Sequence, residues 1–129
     1  MVFGTFDLLH PGHRFLLEEA RKRGSVIVIV ARGENVARIK GKAPQESDAE
    51  RVTALEKAFP DITVILGDAK DFLKPVREHR PDLLLFGYDQ TLPPGVTEAD
   101  LPCPLERASS YRPEVFKSSL MKKKGVAGD

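Results

Sequence analysis

Gly4-Thr5-Phe6-Asp7-Leu8-Leu9-His10-Pro11-Gly12-His13 reads as the end of a short strand, a tight turn and the start of a helix. Val2 and Phe3 lead into Gly4, whose missing Cβ lets a ligand come close to the backbone. Pro11 suits a first helical turn, where its missing N–H has no partner to lose. A helix start aims unsatisfied N–H groups and the positive end of a dipole outward, so an anion is the expected guest. His10 and His13 lie three residues apart on one face of that turn, and offer imidazole N–H donors or positive charges to the same polyphosphate. Thr5 adds a hydroxyl, Asp7 a cap or a carboxylate, and Gly4 and Gly12 leave room for phosphates. His-x-x-His alone reads more simply as a surface pair or a metal half-site. The flanking residues favour phosphate, and no side-chain metal cage is expected.

Working outward, 129 residues suffice for one three-layer α/β core and are too few for two, so residues 1–129 are read as a single domain. Lys and Arg number 20 against 19 Asp and Glu, a net charge of +1 that gives no general attraction to nucleic acid or to a membrane. Any polyanion must therefore be bound locally. The single cysteine, Cys103, cannot form an internal disulfide. There is no apolar run of membrane-spanning length and no leader-like N-terminus, so the cytoplasm is the expected compartment. The first strand is short because the motif begins at Gly4, and a start a few residues earlier is expected.

Residues 12–23 carry Phe15, Leu16, Leu17 and Ala20 at helical spacing and are closed by Gly24. Ser25-Val-Ile-Val-Ile-Val-Ala31 is continuous and β-branched, as in a strand buried on both faces of a parallel sheet. Strand, helix, strand implies a right-handed βαβ unit. Residues 32–46 are polar and hold Arg38, Lys40 and Lys42. They predict a mobile loop with a helical turn around residues 34–39, at the strand end where open α/β sheets bind ligands. Residues 47–59 read as a helix capped by Ser47 with Glu50 three residues on. Arg51 in that helix either reaches phosphate or pairs with a surface carboxylate.

A third strand is expected at 62–66, then a helix over 72–79 that starts late or bends at Pro75, and a fourth strand at 82–86. Gly87-Tyr88-Asp89-Gln90 follows it, at the same rim as His10 and His13, where Asp89 can accept from a ribose hydroxyl or a base amine. A plain turn is the alternative. Residues 91–104 read as a loop or lid, and a short fifth strand is expected within 103–108. His79 reads as a helix-end residue, and Lys122 to Lys124 as a solvated helix end.

The run Gly4-Thr5-Phe6-Asp7-x-x-His10-x-Gly12-His13 resembles the signature of the cytidylyltransferase-like nucleotidyltransferases, the superfamily of glycerol-3-phosphate cytidylyltransferase and archaeal-type FAD synthetase. The resemblance implies a Rossmann-like three-layer α/β/α sandwich with a mainly parallel five-stranded sheet. Val30 to Pro44 is similar to the archaeal-type FAD synthetase segment in which a strand ending Ala-Arg leads to a Lys-Gly loop; it implies Lys42, then Lys40, as a phosphate clamp. Glu50-Arg51 and Gly87-x-Asp89-Gln90 are also similar to that branch. Arg112, Ser118 and Ser119 fit the last motif, from which Val115 and Lys117 depart.

The resemblance implies direct attack of an acceptor phosphate on the α-phosphorus of ATP or CTP, with pyrophosphate leaving. Charge would be met by His10, His13 and Lys42, and Gly4, Thr5, Phe6, Asp7, Pro11, Gly12, Lys40, Arg51, Gly87, Asp89, Gln90, Arg112, Ser118 and Ser119 would bind the nucleotide. Magnesium would be held mainly by phosphates and water. FMN is the acceptor implied by the central stretches; the opening motif alone fits glycerol 3-phosphate with CTP equally well, and a nucleotide sensor without turnover is the alternative of another class. Relatives imply a homodimer.

Overall fold

A computed structural model describes residues 1–110. Arg112, Val115, Lys117, Ser118, Ser119 and Lys122 to Lys124 lie outside the described residues.

The order of elements is β1 (Val2–Gly4), α1 (Pro11–Arg21), β2 (Ile27–Val30), α2 (Gly33–Lys40), α3 (Asp48–Ala58), β3 (Thr63–Leu66), α4 (Lys74–His79), β4 (Leu84–Phe86), a 3-10 turn at Glu98–Asp100 and β5 (Leu105–Arg107). The strands form one five-stranded sheet in the order β3-β2-β1-β4-β5. All four pairings are parallel, with Val2 opposite Val28 on one side and Leu85 on the other.

Alternation along each strand divides the apolar residues between two faces. Val2, Val28, Val30 and Leu85 meet Leu17 and Ala20 of α1 and Leu55 of α3, with Phe59 beyond it. Phe3, Ile29, Leu84 and Phe86 point the other way and meet Val76 of α4. Helices therefore cover both faces, and the expected three-layer sandwich is observed with an entirely parallel sheet. Phe86 is fully buried, and a side chain of that size contributes roughly 1.5–3 kcal/mol through burial.

One stretch differs in extent from expectation. The helical turn expected near residues 34–39 is a full helix over Gly33–Lys40. Gly41 ends it in the left-handed region (φ 80°), where its N–H bonds to Ala37 O. Val36 of this helix is buried, and polar bonds fix the helix to its neighbours: Gly33 N–H donates to Asp48 of α3 at 2.9 Å and Asn35 Nδ2 to Asp68 O, just after β3, at 3.4 Å. The sequence pattern of apolar residues carries no trace of these bonds. α4 starts late, as Pro75 led one to expect, with that proline in its first turn, and it stops at Arg80 in the left-handed region (φ 46°).

The strand order decides where a ligand can sit. From β1 the chain moves outward through β2 and β3, then returns to β1's other side with β4. The carboxyl ends of β1 and β4 thus form a topological switch point. The His10–His13 turn follows one of these ends and Gly87 follows the other.

Candidate active site

β1 delivers the chain into a strained turn. Phe6 and Leu8 both sit at positive φ, 54° and 52°, conformations that cost non-glycine residues about a kcal/mol or more. The turn folds the Phe6 ring back over Gly4, where a Cβ would stand 2.6 Å from the ring. Gly4 is thus required by Phe6 rather than by a ligand. The Phe6 side chain is itself in the core, 3% exposed, and packs edge-on against His13 with centroids 5.3 Å apart. Its place is behind the site, shaping it, which corrects the expectation of a nucleotide contact from this side chain.

The two histidines form a reciprocal cap on α1. His10 Nδ1 accepts from Gly12 N (3.1 Å) and His13 N (3.4 Å), and His13 Nδ1 accepts from His10 N (3.3 Å). The rings stack with centroids 3.6 Å apart and 19° between planes. Each Nδ1 offers a lone pair to the backbone, so each ring proton belongs on Nε2. Burial lowers His13 to about 4, His10 adds to the effect, and Asp7 opposes it. One expectation is corrected here and another narrowed. The N–H groups of Gly12 and His13 are held by His10 and are not open to an anion, and of the two roles open to His13, donor or cation, its lowered pKa favours the neutral donor. Pro11 occupies the first helical position, where it leaves no further N–H to satisfy.

Asp7 faces the loop at residues 41–47. Its carboxylate accepts from Gln45 N at 2.9 Å and Glu46 N at 3.0 Å, and Glu46 returns a bond by accepting from Leu8 N at 2.8 Å. Desolvation pushes the Asp7 carboxyl upward, but these two N–H groups, with Arg51 and His13 nearby, hold it below its usual value. It neither caps α1 nor turns its oxygens to a nucleotide.

Arg51 pairs with a carboxylate, one of its two expected alternatives, but from inside the protein and not from the surface. Its side chain is fully buried and donates to Thr5 O (3.0 Å), Ala31 O (2.7 Å) and Glu46 O (3.3 Å), with an ion pair to Asp48. It binds together the ends of β1 and β2 and the entry to α3. Gln90 is similarly committed: its amide accepts from Gly87 N at 3.0 Å and donates to Phe3 O at 2.9 Å, and its carbonyl accepts from Arg107. It locks the β4 exit to β1 rather than presenting its amide to a base.

The groups left facing solvent at this rim are few. Among the described residues, the Thr5 hydroxyl and the Asp89 carboxylate have no hydrogen-bond partner, and Lys40 and Lys42 are exposed without an ion pair. At Gly87 a Cβ would meet nothing closer than 3.9 Å, so the protein itself does not require glycine there. Glu46, Asp48 and Arg107 have structural parts in the site that sequence reasoning missed. Apart from the Asp48–Arg51 pair, three residues apart on α3, their partners are backbone groups distant in sequence, for which the sequence carries no signal. No group of three or more His, Cys, Asp or Glu among the described residues is placed to hold a metal. Asp7, Glu46 and Asp48 already serve backbone N–H groups or Arg51. The arrangement provides imidazole N–H groups, exposed lysine charge and an open carboxylate around the strand switch point, a set suited to a polyphosphate ester.

Comparison with known proteins places these features. A family model described as cytidylyltransferase-like matches residues 1–119. The FAD synthase of Archaeoglobus profundus is 48% identical over 89 residues, 67% of this chain and 56% of that protein. The FAD synthase of Aciduliprofundum boonei is 43% identical over 91 residues, 70% of this chain and 60% of that protein. The matches thus span less than two thirds of the length of these relatives. Among solved structures, the lipopolysaccharide core biosynthesis protein from Thermoplasma volcanium superposes with a TM-score of 0.74 at 33% identity, over 87% of this chain and 96% of that one.

Proposed function

The chain belongs to the cytidylyltransferase-like family, and we propose that it is a nucleotidyltransferase that moves the adenylyl group of ATP to FMN, forming FAD and pyrophosphate. The likeness to FAD synthases at 43–48% identity supports the pair of substrates. The observation that carries the chemistry is the stacked His10–His13 pair beside the β1–β4 switch point of the sheet.

An oxygen of the FMN phosphate attacks the α-phosphorus of ATP, the new O–P bond forms opposite the bond to the β-phosphate oxygen, and pyrophosphate leaves with that bond's electron pair. No general base is needed, because a phosphate monoester has its second pKa near 6 and is mostly ionised at neutral pH. This agrees with the histidines, whose Nδ1 atoms are engaged by backbone N–H groups. Their Nε2–H groups stabilise charge gathering on the phosphate oxygens, where such preorganised donors are most effective. Lys42, with Lys40 behind it, closes over the leaving phosphates as a point charge. Asp89 takes a ribose hydroxyl or the base amine. A magnesium ion brought by ATP would offset phosphate charge in the site, without a protein side-chain cage among the described residues to hold it. A homodimer in the cytoplasm is the form proposed.

Pyrophosphate release from ATP and from CTP with magnesium, each offered FMN, glycerol 3-phosphate or no acceptor, tests this reading. Turnover with ATP and FMN, accompanied by quenching of flavin fluorescence, is expected. CTP with glycerol 3-phosphate as the active pair would overturn the substrates, and nucleotide binding without release in any arm would overturn the enzyme. His10→Ala and His13→Ala should each lower kcat about a hundredfold, the usual cost of a lost transition-state donor.

A further inference from the structure

Lys42 occupies the only stretch between α2 and α3. At one end of that stretch α2 is fixed, through Gly33 N–H on Asp48, Asn35 on Asp68 O, and Arg32 Nε on Gly67 O at 2.6 Å. At the other end, residues 45–46 are fixed to the turn that carries the histidines by three hydrogen bonds: Gln45 N and Glu46 N to Asp7, and Leu8 N to Glu46. Between these anchors neither Lys42 nor Ala43 has a hydrogen-bond partner among the described residues.

We propose that Glu46 is a positioning residue of the transfer reaction: by accepting the Leu8 N–H while its own N–H is held by Asp7, it sets the Lys42 loop in register with the His10–His13 turn. This rests on the nucleotidyltransferase reading of the site. The geometry supports a role in registration rather than in bulk stability. The Glu46 carboxylate reaches across 38 residues of chain to one backbone N–H of the strained turn. Leu8 itself stands at φ 52°, two residues before His10, so the bond fixes the segment that leads directly into the histidine cap. The closure is mutual: each loop supplies one carboxylate and the other loop supplies the N–H groups. A lysine held only at the distant ends of its loop must lose considerable freedom to meet a phosphate, and fixing one end nearby reduces that loss.

The test is a double-mutant cycle on the whole protein. Glu46→Ala should lower kcat about tenfold, the equivalent of one well-placed hydrogen bond. In a Lys42→Ala background the same change should cost less than about twofold, as expected when one residue acts through the other. Glu46→Gln keeps an oxygen acceptor for Leu8 N–H and should stay within about threefold of wild type. A full tenfold loss in the Lys42→Ala background, or equal losses for Glu46→Ala and Glu46→Gln, would overturn the proposal. Titrating the same proteins with Mg-ATP gives a cycle in Kd that needs no acceptor. Absence of turnover with FMN would therefore strike the proposed reaction alone, while additivity in ATP affinity would strike the clasp. Thermal melting of each variant separates either result from loss of the fold.

Discussion

A histidine that must accept a backbone hydrogen bond cannot also serve as a cation at the same nitrogen, and His13 shows the energetic consequence. Burial and the neighbouring His10 lower it to about 4 from an ordinary value of 6.5, against a weaker pull from Asp7. Between those values the unfolded chain binds a proton that the folded protein does not. Stability therefore rises with pH across this window; the contribution is fully present above about 6.5 and is lost as pH falls through about 4, with a size on the order of 3 kcal/mol. Urea unfolding at pH 7.5 and pH 4.5 should show wild type losing more stability on acidification than His13→Ala, and parallel losses would contradict the buried cap. Gly4 gives a second test at this scale. A methyl group 2.6 Å from the Phe6 ring must displace it, and with it the face on which His13 rests. Gly4→Ala should cost about 1–3 kcal/mol, as overpacking does, and should lower turnover as well as the melting temperature.

At the scale of elements, α3 shows what a sequence reveals and what it conceals. Its start was legible, because Ser47 and Glu50 form the reciprocal cap that their spacing announces. The use of Arg51 was not, since its acceptors are carbonyls of Thr5 and Ala31, 46 and 20 residues away. Nothing in a helical pattern says that a charged residue will be turned inward to collect them. The same blindness explains the polar bonds that fix α2 to its neighbours, and Gln90, whose amide bridges β4 to β1. Hydrophobic periodicity reports burial against the sheet and is silent about polar cross-links between strand ends. Arg51→Met should be strongly destabilising, by about 3–5 kcal/mol, because it leaves the Asp48 charge and several inward carbonyls without their donor. Arg51→Lys should recover little of this, since one ammonium cannot reach the carbonyls of Thr5, Ala31 and Glu46 in the planar spread of a guanidinium. Equilibrium unfolding checks both; a cost below about 1 kcal/mol for Arg51→Met would remove the staple from the account.

At the scale of the whole molecule, function is set by direction. All five strands run the same way, so every strand-to-helix turn lies at one rim and every return lies at the other. The βαβ alternation made a parallel sheet legible from the sequence, and with it the gathering of residues 5–13, 40–47 and 87–90 at a common edge. The order of strands was not legible, because strand patterns name no neighbours, yet it is the return of β4 to the side of β1 that makes the switch point at this edge. The opposite rim carries a depression lined by Val76, Arg77, Arg80, Pro81 and Pro102, at the entrances to β4 and β5; its two arginines offer charge, but it has none of the histidines and turn groups gathered at the first rim. Mg-ATP should therefore act on one rim only. At about a hundred times its Kd it should stabilise the fold by about 2.7 kcal/mol, and hydrogen exchange should slow in the turns at 5–13, 40–47 and 87–90 while 76–82 and 101–104 keep their unliganded rates beyond what the global stabilisation explains. Protection centred on Arg80 instead would mean that the nucleotide ignores the strand switch and binds at the amino ends of the sheet.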